Sequence, residues 1–288
     1  MVGYSDDNWL LAPSRQALQE MLKTCEEYAE EHNLKFSMDP DPNKCKTKCI
    51  AFLKSDRDIV PLQLCGNPLP WVDHGKHLGI SHQNKMDGLK HDIRVKRAQY
   101  IDRNNELIQE YSFAHPKTKF KMNSIFNSHF SGSQLWDLFS PECAMIESTW
   151  NRSIKLMFDL PLQTHRYFMC PISESHHVKS MLIKRFISFT QKLETSKKLS
   201  VKHLYRAVKD DAKTTTGSNI RNIQLLIGKE DRKLDPNDAM LIKYHEVTEE
   251  NKWKVNLLKE LIELKHGTMD AGLDKADIEE MIEHLCTS

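Results

Sequence analysis

The residues best suited to chemistry lie at the start of the chain, in the segment Tyr4-Ser5-Asp6-Asp7. Adjacent carboxylates on a tight turn can point together and hold a hard divalent cation, because Mg2+ prefers oxygen ligands and a few carboxylates. Nucleotidyl transfer needs such carboxylates to hold two ions about 3.5–4 Å apart. The other interpretation is an ordinary Asp-rich turn, which a bare Asp-Asp pair does not exclude.

Short extended segments and a helix must position this acidic pair. The apolar clusters Val2-Gly3-Tyr4 and Trp9-Leu10-Leu11 flank a polar centre, and this pattern predicts two strands joined by a tight turn. Ser14 can cap a helix that runs to about His32, because apolar residues recur there at helical spacing. We therefore expect an antiparallel hairpin that carries the carboxylates and packs on this helix.

The predicted secondary structure changes from mostly strands to mostly helices near residue 82. Before that point, further strands are expected at 47–53 and 60–65, with a short hairpin at 71–80 that turns around Asp73-His74-Gly75. Beyond Met86, apolar residues three and four apart predict helices almost to the end, including two broken near Pro141 and one over 178–193. The segment 213–217 is interpreted as a linker. The predicted fold class is α+β, a small antiparallel-strand portion followed by a mostly helical one.

Composition excludes several classes of protein. The 288 residues are 39% hydrophobic and 28% charged, with a formal net charge of +1. The mean hydropathy is −0.58, and the absence of a run of about eighteen apolar residues excludes a membrane-spanning protein. The first residues carry two Asp and no basic region, so no secretory signal is expected. We expect an intracellular protein, nuclear or cytoplasmic.

The cysteines do not show the spacing of a disulfide framework. There are 7, scattered along the chain, and only Cys45 and Cys49 lie close together. Zinc sites sometimes use that spacing, but a second ligand pair is missing, and His74 and His77 do not supply the usual finger geometry. The interpretation favoured is structural thiols.

A basic region suggests nucleic acid as a partner. From Lys229 to the end there are 9 Lys and Arg against 15 Asp and Glu, so the preceding part is basic. Phosphates attract cations and aromatic rings stack on bases. The alternative is a solvated helix face over a buried aromatic stripe. The basic residues are Lys85, Lys90, Arg94, Lys96, Arg97, Arg103, Lys117, Lys119 and Lys121, and the aromatic ones are Tyr100, Tyr111, Phe113, Phe120 and Phe126.

Ordered segments of the chain resemble the reverse transcriptases of non-LTR (LINE-type) retrotransposons. In that family a Tyr-x-Asp-Asp hairpin is the third palm motif, and a helix similar to LLAPSxxALQxML follows it. A Lys-Thr-Lys segment leading into a strand comes next, matched by 46–52, and then a Leu-Gly primer-grip motif, matched by 77–80. Segments 148–152 and 160–165 are similar to the region after the palm, so the resemblance covers roughly residues 2–228.

The resemblance implies a role for the matched palm residues. Asp6 and Asp7 belong to the metal centre, with Asp6 favoured as the direct ligand, while Tyr4 lies beside the primer terminus and Ser5 on the turn. Lys46 takes the position of the family's later palm lysine near the triphosphate, where a general acid could protonate the departing pyrophosphate. Its alternative is a surface lysine at the start of a strand.

The resemblance also implies contacts with nucleic acid. His77, Leu78 and Gly79 shape the primer grip, where a glycine permits close backbone approach. The basic helices, with Arg94, Lys96 and Arg97, form the thumb. The implied cofactor is Mg2+, with two ions in the parent family, and the implied partner is the duplex of RNA template and DNA primer.

The sequence departs from the family at its start. The family's fingers and first half of the palm precede the hairpin, and they supply another catalytic Asp and the nucleotide-binding residues. These 288 residues hold only the later part. One turn cannot hold two ions, so we expect the chain alone to bind Mg2+ weakly and not to synthesise DNA.

These inferences give three regions and two candidate functions. Residues 1–82 are predicted to be the C-terminal part of a reverse-transcriptase palm, 83–228 a helical thumb-like region and 229–288 an acidic helical tail. The first function is that of a fragment of an RNA-directed DNA polymerase. The alternative is a non-enzymatic helical module that binds nucleic acid or protein. Genomic sequence upstream that encodes the fingers would favour the enzyme.

Overall fold

The fold is α+β, mostly helical with short antiparallel strands, as the sequence predicts at this level. The chain forms two compact units, residues 1–92 and 93–288. The computed structural model describes residues 2–4, 7–39, 41, 44–52, 60–77, 80–83, 88–126, 130–228, 233–240, 242, 247–267 and 272–287.

The first unit begins with the predicted antiparallel pair. Strand β1 (Val2–Tyr4) pairs with β2 (Asp7–Trp9) in a register that sets Tyr4 opposite Asp7. Helix α1 (Arg15–Glu31) follows, and the Ser14 hydroxyl accepts a hydrogen bond from the Ala17 amide at 3.2 Å. This cap satisfies one of the amides that a helix start leaves without a partner, which confirms the predicted helix and its first residue.

Two further hairpins follow, and the sequence predicted neither with the right turn. Strand β3 (Leu62–Leu64) pairs with β4 (Asn67–Leu69), and β5 (His74–His77) pairs with β6 (Ile80–Gln83). The first turn was missed because it is only two residues long; Cys65 and Gly66 have φ of 50° and 73°, as this kind of turn requires. The prediction of a turn at Asp73-His74-Gly75 is wrong, since His74 and Gly75 already belong to β5.

The strand predicted at 47–53 does not form over its described part, 47–52. Only one bridge is present there, between Cys49 and Trp71, in the parallel sense. Cys49 is buried in a small cluster with Leu22 and the two leucines of β3, whereas Phe52 is exposed. The segment is therefore held at Cys49, by burial of its side chain and by backbone hydrogen bonds with Pro70 and Val72.

Helix α1 is fixed on β3 by polar contacts as well as by this cluster. Gln19 and Gln63 exchange two hydrogen bonds of 2.8 Å, one from the Gln19 side-chain amide and one to it. The Arg15 guanidinium donates to the carbonyl oxygens of Val60 and Pro61 at 3.0 and 2.9 Å. Leu10, which follows β2, packs against the same apolar cluster.

The regular elements among the described residues of the second unit are all helices. Its core surrounds the fully buried side chains of Trp136, Phe158, Phe168 and Phe186. Three-residue 3-10 helices occupy 133–135, 166–168 and 249–251, and a longer one occupies Pro236–Met240. The α-helices are α2 (Gly88–Glu110, which begins in the first unit), α3 (Pro116–Phe126), α4 (Pro141–Met157), α5 (Met169–Ser173), α6 (Val178–Glu194), α7 (Leu199–Lys209), α8 (Thr215–Ile227), α9 (Lys252–Lys265) and α10 (Lys275–Thr287).

Two predicted boundaries need correction here. Pro141 does not break two α-helices: it is the first residue of α4, where its missing amide costs nothing, and the preceding element is a 3-10 turn. The segment 213–217 is not a linker, because the Thr214 hydroxyl accepts from the Gly217 amide at 3.0 Å and caps α8. A polar, glycine-containing segment was mistaken for a linker where it is a helix start.

The acidic C-terminal segment shares the core of the second unit. Leu258, Leu261, Ile278 and Ile282 are buried in the same cluster as Trp136. No helix in the described ranges is long and apolar enough to cross a membrane.

Candidate functional site

The acidic motif lies on the first hairpin, and part of it is outside the described residues. Tyr4 ends β1 and Asp7 begins β2, so their backbones are paired directly. Ser5 and Asp6 are not among the described residues. The metal-ligand roles of Asp6 and Asp7 and the primer role of Tyr4 therefore stay predictions.

An aromatic cluster joins this hairpin to the one carrying the predicted primer grip. The ring of Trp9, the last residue of β2, lies 5.0 Å from the His77 ring and 4.4 Å from the His82 ring, measured between centroids. Strands β5 and β6 place the two histidines near each other, since His77 faces Ile80 and Gly75 faces His82. Leu78 and Gly79 are outside the described residues.

His82 is the member of this cluster that the sequence interpretation missed. Burial lowers its pKa, and the neighbouring His77 lowers it further. The imidazole is therefore held neutral at neutral pH, which favours packing and hydrogen bonding over charge. The available signal was the alternation along β6, because His82 lies two residues from Ile80 and hence on the same face of the strand.

Lys46 does not join the aromatic cluster. It is exposed in the segment 44–52, and no contact among the described residues brings it to the hairpin. Next to it, the buried Cys45 thiol donates to the Thr47 carbonyl at 3.1 Å. Its predicted role near the triphosphate thus has no geometric support within the described chain.

The described residues do not form a complete metal site. Their ranges contain no group of three or more His, Cys, Asp or Glu side chains that could hold an ion. Asp6 and the side chain of Asp7 are outside these ranges, so the Mg2+ site stays a prediction. The thiols of Cys45 and Cys49 are buried, and burial raises the Cys49 pKa to about 11, with the nearby Cys45 adding to it. Buried thiols with a raised pKa react slowly, as structural cysteines do.

The three predicted thumb cations on α2 contact the protein itself. Arg94 donates to Glu142 at 3.1 Å, although its side chain remains 66% exposed. The Arg97 guanidinium donates to the Thr149 hydroxyl at 2.7 Å, so both arginines tie α2 to α4. The Lys96 ammonium lies 3.5 Å from the Ser131 hydroxyl.

Other members of the basic region are used for structure. Lys117 pairs with Glu263 at 3.0 Å and Glu174 at 3.1 Å, and these hydrogen bonds raise its pKa. Lys119 is buried, and burial lowers its pKa. Ion pairs hold Lys117 and burial holds Lys119, so these two lysines have structural contacts.

The aromatic residues of this region divide in the same way. Tyr100 and Phe120 are buried and pack against Trp150, at centroid distances of 5.8 and 5.9 Å. They cannot stack on bases, so the buried-stripe alternative is correct for these two. Phe113 is different, since it is 85% exposed. The side chain of Phe126 is outside the described residues.

Two cations of the region remain exposed without a protein partner in the described structure, Arg103 on α2 and Lys121 on α3. Arg103 follows Lys96 by seven residues, which places both on one stripe of α2. Lys90 is also exposed, and Lys85 lies outside the described residues. The surface available for phosphates is thus smaller than the sequence predicts.

Comparison of the chain with protein-family models, with curated proteins and with solved structures gave no significant match.

Proposed function

We propose that this chain is a fragment of an RNA-directed DNA polymerase of the non-LTR retrotransposon type, comprising the end of the palm, the thumb and a helical tail. Its role is to hold the duplex of RNA template and DNA primer. In the parent enzyme, nucleotidyl transfer uses two Mg2+ ions held by Asp6, Asp7 and a carboxylate from a second element. Without that carboxylate, these residues bind Mg2+ weakly.

The observation that carries this proposal is the contact of Trp9 with His77 and His82. The acidic hairpin and the predicted primer grip are separated by about seventy residues of sequence, yet one indole ring touches both histidines. A polymerase needs this proximity, because the end of the primer must lie beside the carboxylates that hold the ions. An Asp-rich turn without function has no such requirement.

The second support is the pair of exposed cations on α2 and α3. Arg103 and Lys121 have no carboxylate partner among the described residues, whereas Lys117 has two. Exposed cations of this kind suit phosphates, whose contacts fix a duplex in place without reading its sequence. The proposed binding is therefore weak, independent of sequence and sensitive to salt.

The test is fluorescence anisotropy of a labelled RNA–DNA hybrid duplex at KCl concentrations from about 50 to 200 mM. The logarithm of the binding constant should fall linearly with the logarithm of the salt concentration. Replacing Arg103 and Lys121 by Gln should make the slope shallower by about one for each phosphate that is no longer neutralised. Arg221→Gln, the same change at an exposed position of α8, is the matched control and should leave the slope unchanged.

The choice of Arg103 and Lys121 follows from the contacts of their neighbours. Alanine at Arg94, Lys96 and Arg97 should also flatten the salt slope, but it removes the ties from α2 to α4 as well. That triple variant therefore needs a parallel measurement of unfolding. The proposed interface would be contradicted if the duplex does not bind. It would also be contradicted if the salt slope is as steep in the Arg103 and Lys121 variants as in the unmodified chain.

The second candidate function, a non-enzymatic helical module, is favoured by one observation. The unit 93–288 has its own apolar core and no strand among its described residues. Such a unit could bind nucleic acid or protein without any palm. The two functions differ in where a primer end binds: on the first unit for a polymerase fragment, and on helices alone for the module.

A further inference from the structure

A polar cavity of about 410 Å³ opens beside the C-terminal end of α4, in the second unit. Its lining residues are Lys155, Gln163, Thr164, His165, Arg166 and Tyr167. Two of them are permanent or near-permanent cations at neutral pH, and none is a carboxylate. The cavity includes part of the segment 160–165, which is similar to the reverse transcriptases but has no role in the proposed function.

The wall of this cavity is held by a set of short local hydrogen bonds. The Thr164 amide and hydroxyl both donate to the Pro161 carbonyl, at 3.0 and 2.6 Å. The Lys155 ammonium donates to the Leu162 carbonyl at 2.6 Å. Thr164 is only 1% exposed, so the loop between α4 and the following 3-10 turn is anchored from inside. The lining is therefore ordered before any ligand arrives, which reduces the entropy cost of binding.

The cations of the cavity are close enough to repel each other. Burial lowers the pKa of Lys155, and the charge of Arg166 lowers it further. Neither Lys155 nor Arg166 has an ion-pair partner in the part of the chain that the structure describes. Lys265 shows the contrast, because in the same unit it pairs with Asp159 at 2.5 Å and Glu279 at 3.2 Å. The cavity thus concentrates positive charge that the described side chains leave unbalanced.

We propose that this cavity binds a phosphate group, either free phosphate or the phosphodiester of a nucleic-acid strand. A guanidinium offers a planar fork of donors that matches two phosphate oxygens, and an ammonium beside it supplies a further charge. The Lys155 ammonium has three N–H donors, of which the Leu162 carbonyl takes one. The volume exceeds that of a single phosphate, so a substituted phosphate also fits.

The aromatic side of the cavity is consistent with this ligand. The rings of His165 and Tyr167 are stacked, with centroids 5.5 Å apart and planes at 13°. Neither ring adds a carboxylate to the lining of the cavity. Free phosphate carries more charge and more acceptor oxygens than a carboxylate, and a phosphodiester keeps two unbridged oxygens that match the guanidinium fork.

The test uses inorganic phosphate as the probe, followed by phosphorus NMR line broadening at constant ionic strength with chloride as the replacement anion. The full chain should broaden the signal, and Arg166→Gln and Lys155→Gln should each weaken binding about tenfold or more, as expected for loss of a charge-assisted hydrogen bond. Lys184→Gln and Arg221→Gln change exposed cations outside the cavity and should bind as the unmodified chain does.

Two further arms make the result decisive. A short single-stranded oligonucleotide without terminal phosphate is added to the phosphate complex: displacement identifies a phosphodiester as the source, and persistence of the complex identifies free phosphate. Circular dichroism and the unfolding midpoint show whether each variant is folded, and Arg166→Lys, which keeps the charge, should retain part of the affinity. No broadening by the folded chain, or equal broadening by the cavity variants and the controls, overturns the proposal.

Discussion

Replacing Asn219 by Ala should strongly destabilise the second unit. Asn219 is fully buried on α8, where its side-chain oxygen accepts from the Leu138 amide at 3.1 Å and its side-chain nitrogen donates to the Trp136 carbonyl at 2.8 Å. The substitution leaves both backbone groups buried without these partners. Each such group costs about 1–3 kcal/mol, so the expected loss is about 2–6 kcal/mol.

That loss is a large part of the typical stability of a domain, about 5–15 kcal/mol. Urea unfolding followed by circular dichroism should show a midpoint lower by about 1 M or more. Asn219→Asp keeps the acceptor for Leu138, and in its protonated form the carboxyl O–H can also donate to the Trp136 carbonyl, so at a pH that keeps this Asp protonated its loss should be smaller than that of the alanine variant. Asn222→Ala, on the same helix with one weak bond of 3.4 Å to Ser218, is the matched control. Equal midpoints for Asn219→Ala and this control would refute the reasoning.

Other expected outcomes concern packing, pH and thiols. Gly217→Ala should lower the thermal unfolding midpoint, because a Cβ there would lie 2.2 Å from the Asp211 carbonyl oxygen. Burial and neighbouring cationic groups lower the pKa of His266, so the unfolded chain binds the proton at a higher pH than the folded chain does. The free energy of unfolding should therefore fall as the pH drops below about 6.5. His266→Gln should reduce the fall in urea midpoint between about pH 7.5 and 5.5. Burial raises the pKa of Cys49 to about 11 and that of Cys143 to about 12, so mass spectrometry should find both alkylated by iodoacetamide only after unfolding.

Helix caps and the spacing of apolar residues correctly predicted two helices and the first pair of strands. The cap at Ser14 and the apolar spacing after it predict α1, and the same spacing predicts α6. The alternation of apolar and polar clusters at the start predicts the antiparallel pair β1 and β2. In each of these cases the predictive pattern lies among neighbours in sequence, although distant contacts such as that of Gln19 with Gln63 also hold α1.

Features that depend on distant residues could not be predicted in this way. Lys117 belongs to a basic series in the sequence, yet its partner Glu263 comes from α9. The contact of Trp9 with His77 also joins residues far apart in sequence, and the resemblance alone placed them in related motifs. Tyr100 is another example, because the sequence is compatible with a ring that stacks on bases and with a core side chain. The structure shows that Tyr100 is buried.

The catalytic expectation has its own measurement. The chain should not extend a primer on an RNA template with Mg2+ and nucleotides, because Asp6 and Asp7 are consecutive in sequence and a two-ion site needs carboxylates from more than one element. The matched control is the double variant Asp6→Ala, Asp7→Ala, which should behave identically. Extension by the unmodified chain alone would show that the carboxylates suffice.

The most direct test of the proposed function is photocrosslinking of a DNA primer with 4-thiothymidine at its 3′ end, annealed to an RNA template. Mass spectrometry then identifies the attached peptides. The account predicts crosslinks to the hairpins around Trp9 and His77, at low salt and dependent on the template. Crosslinks confined to the helices of residues 93–288, or none above the level of a denatured control, would contradict it.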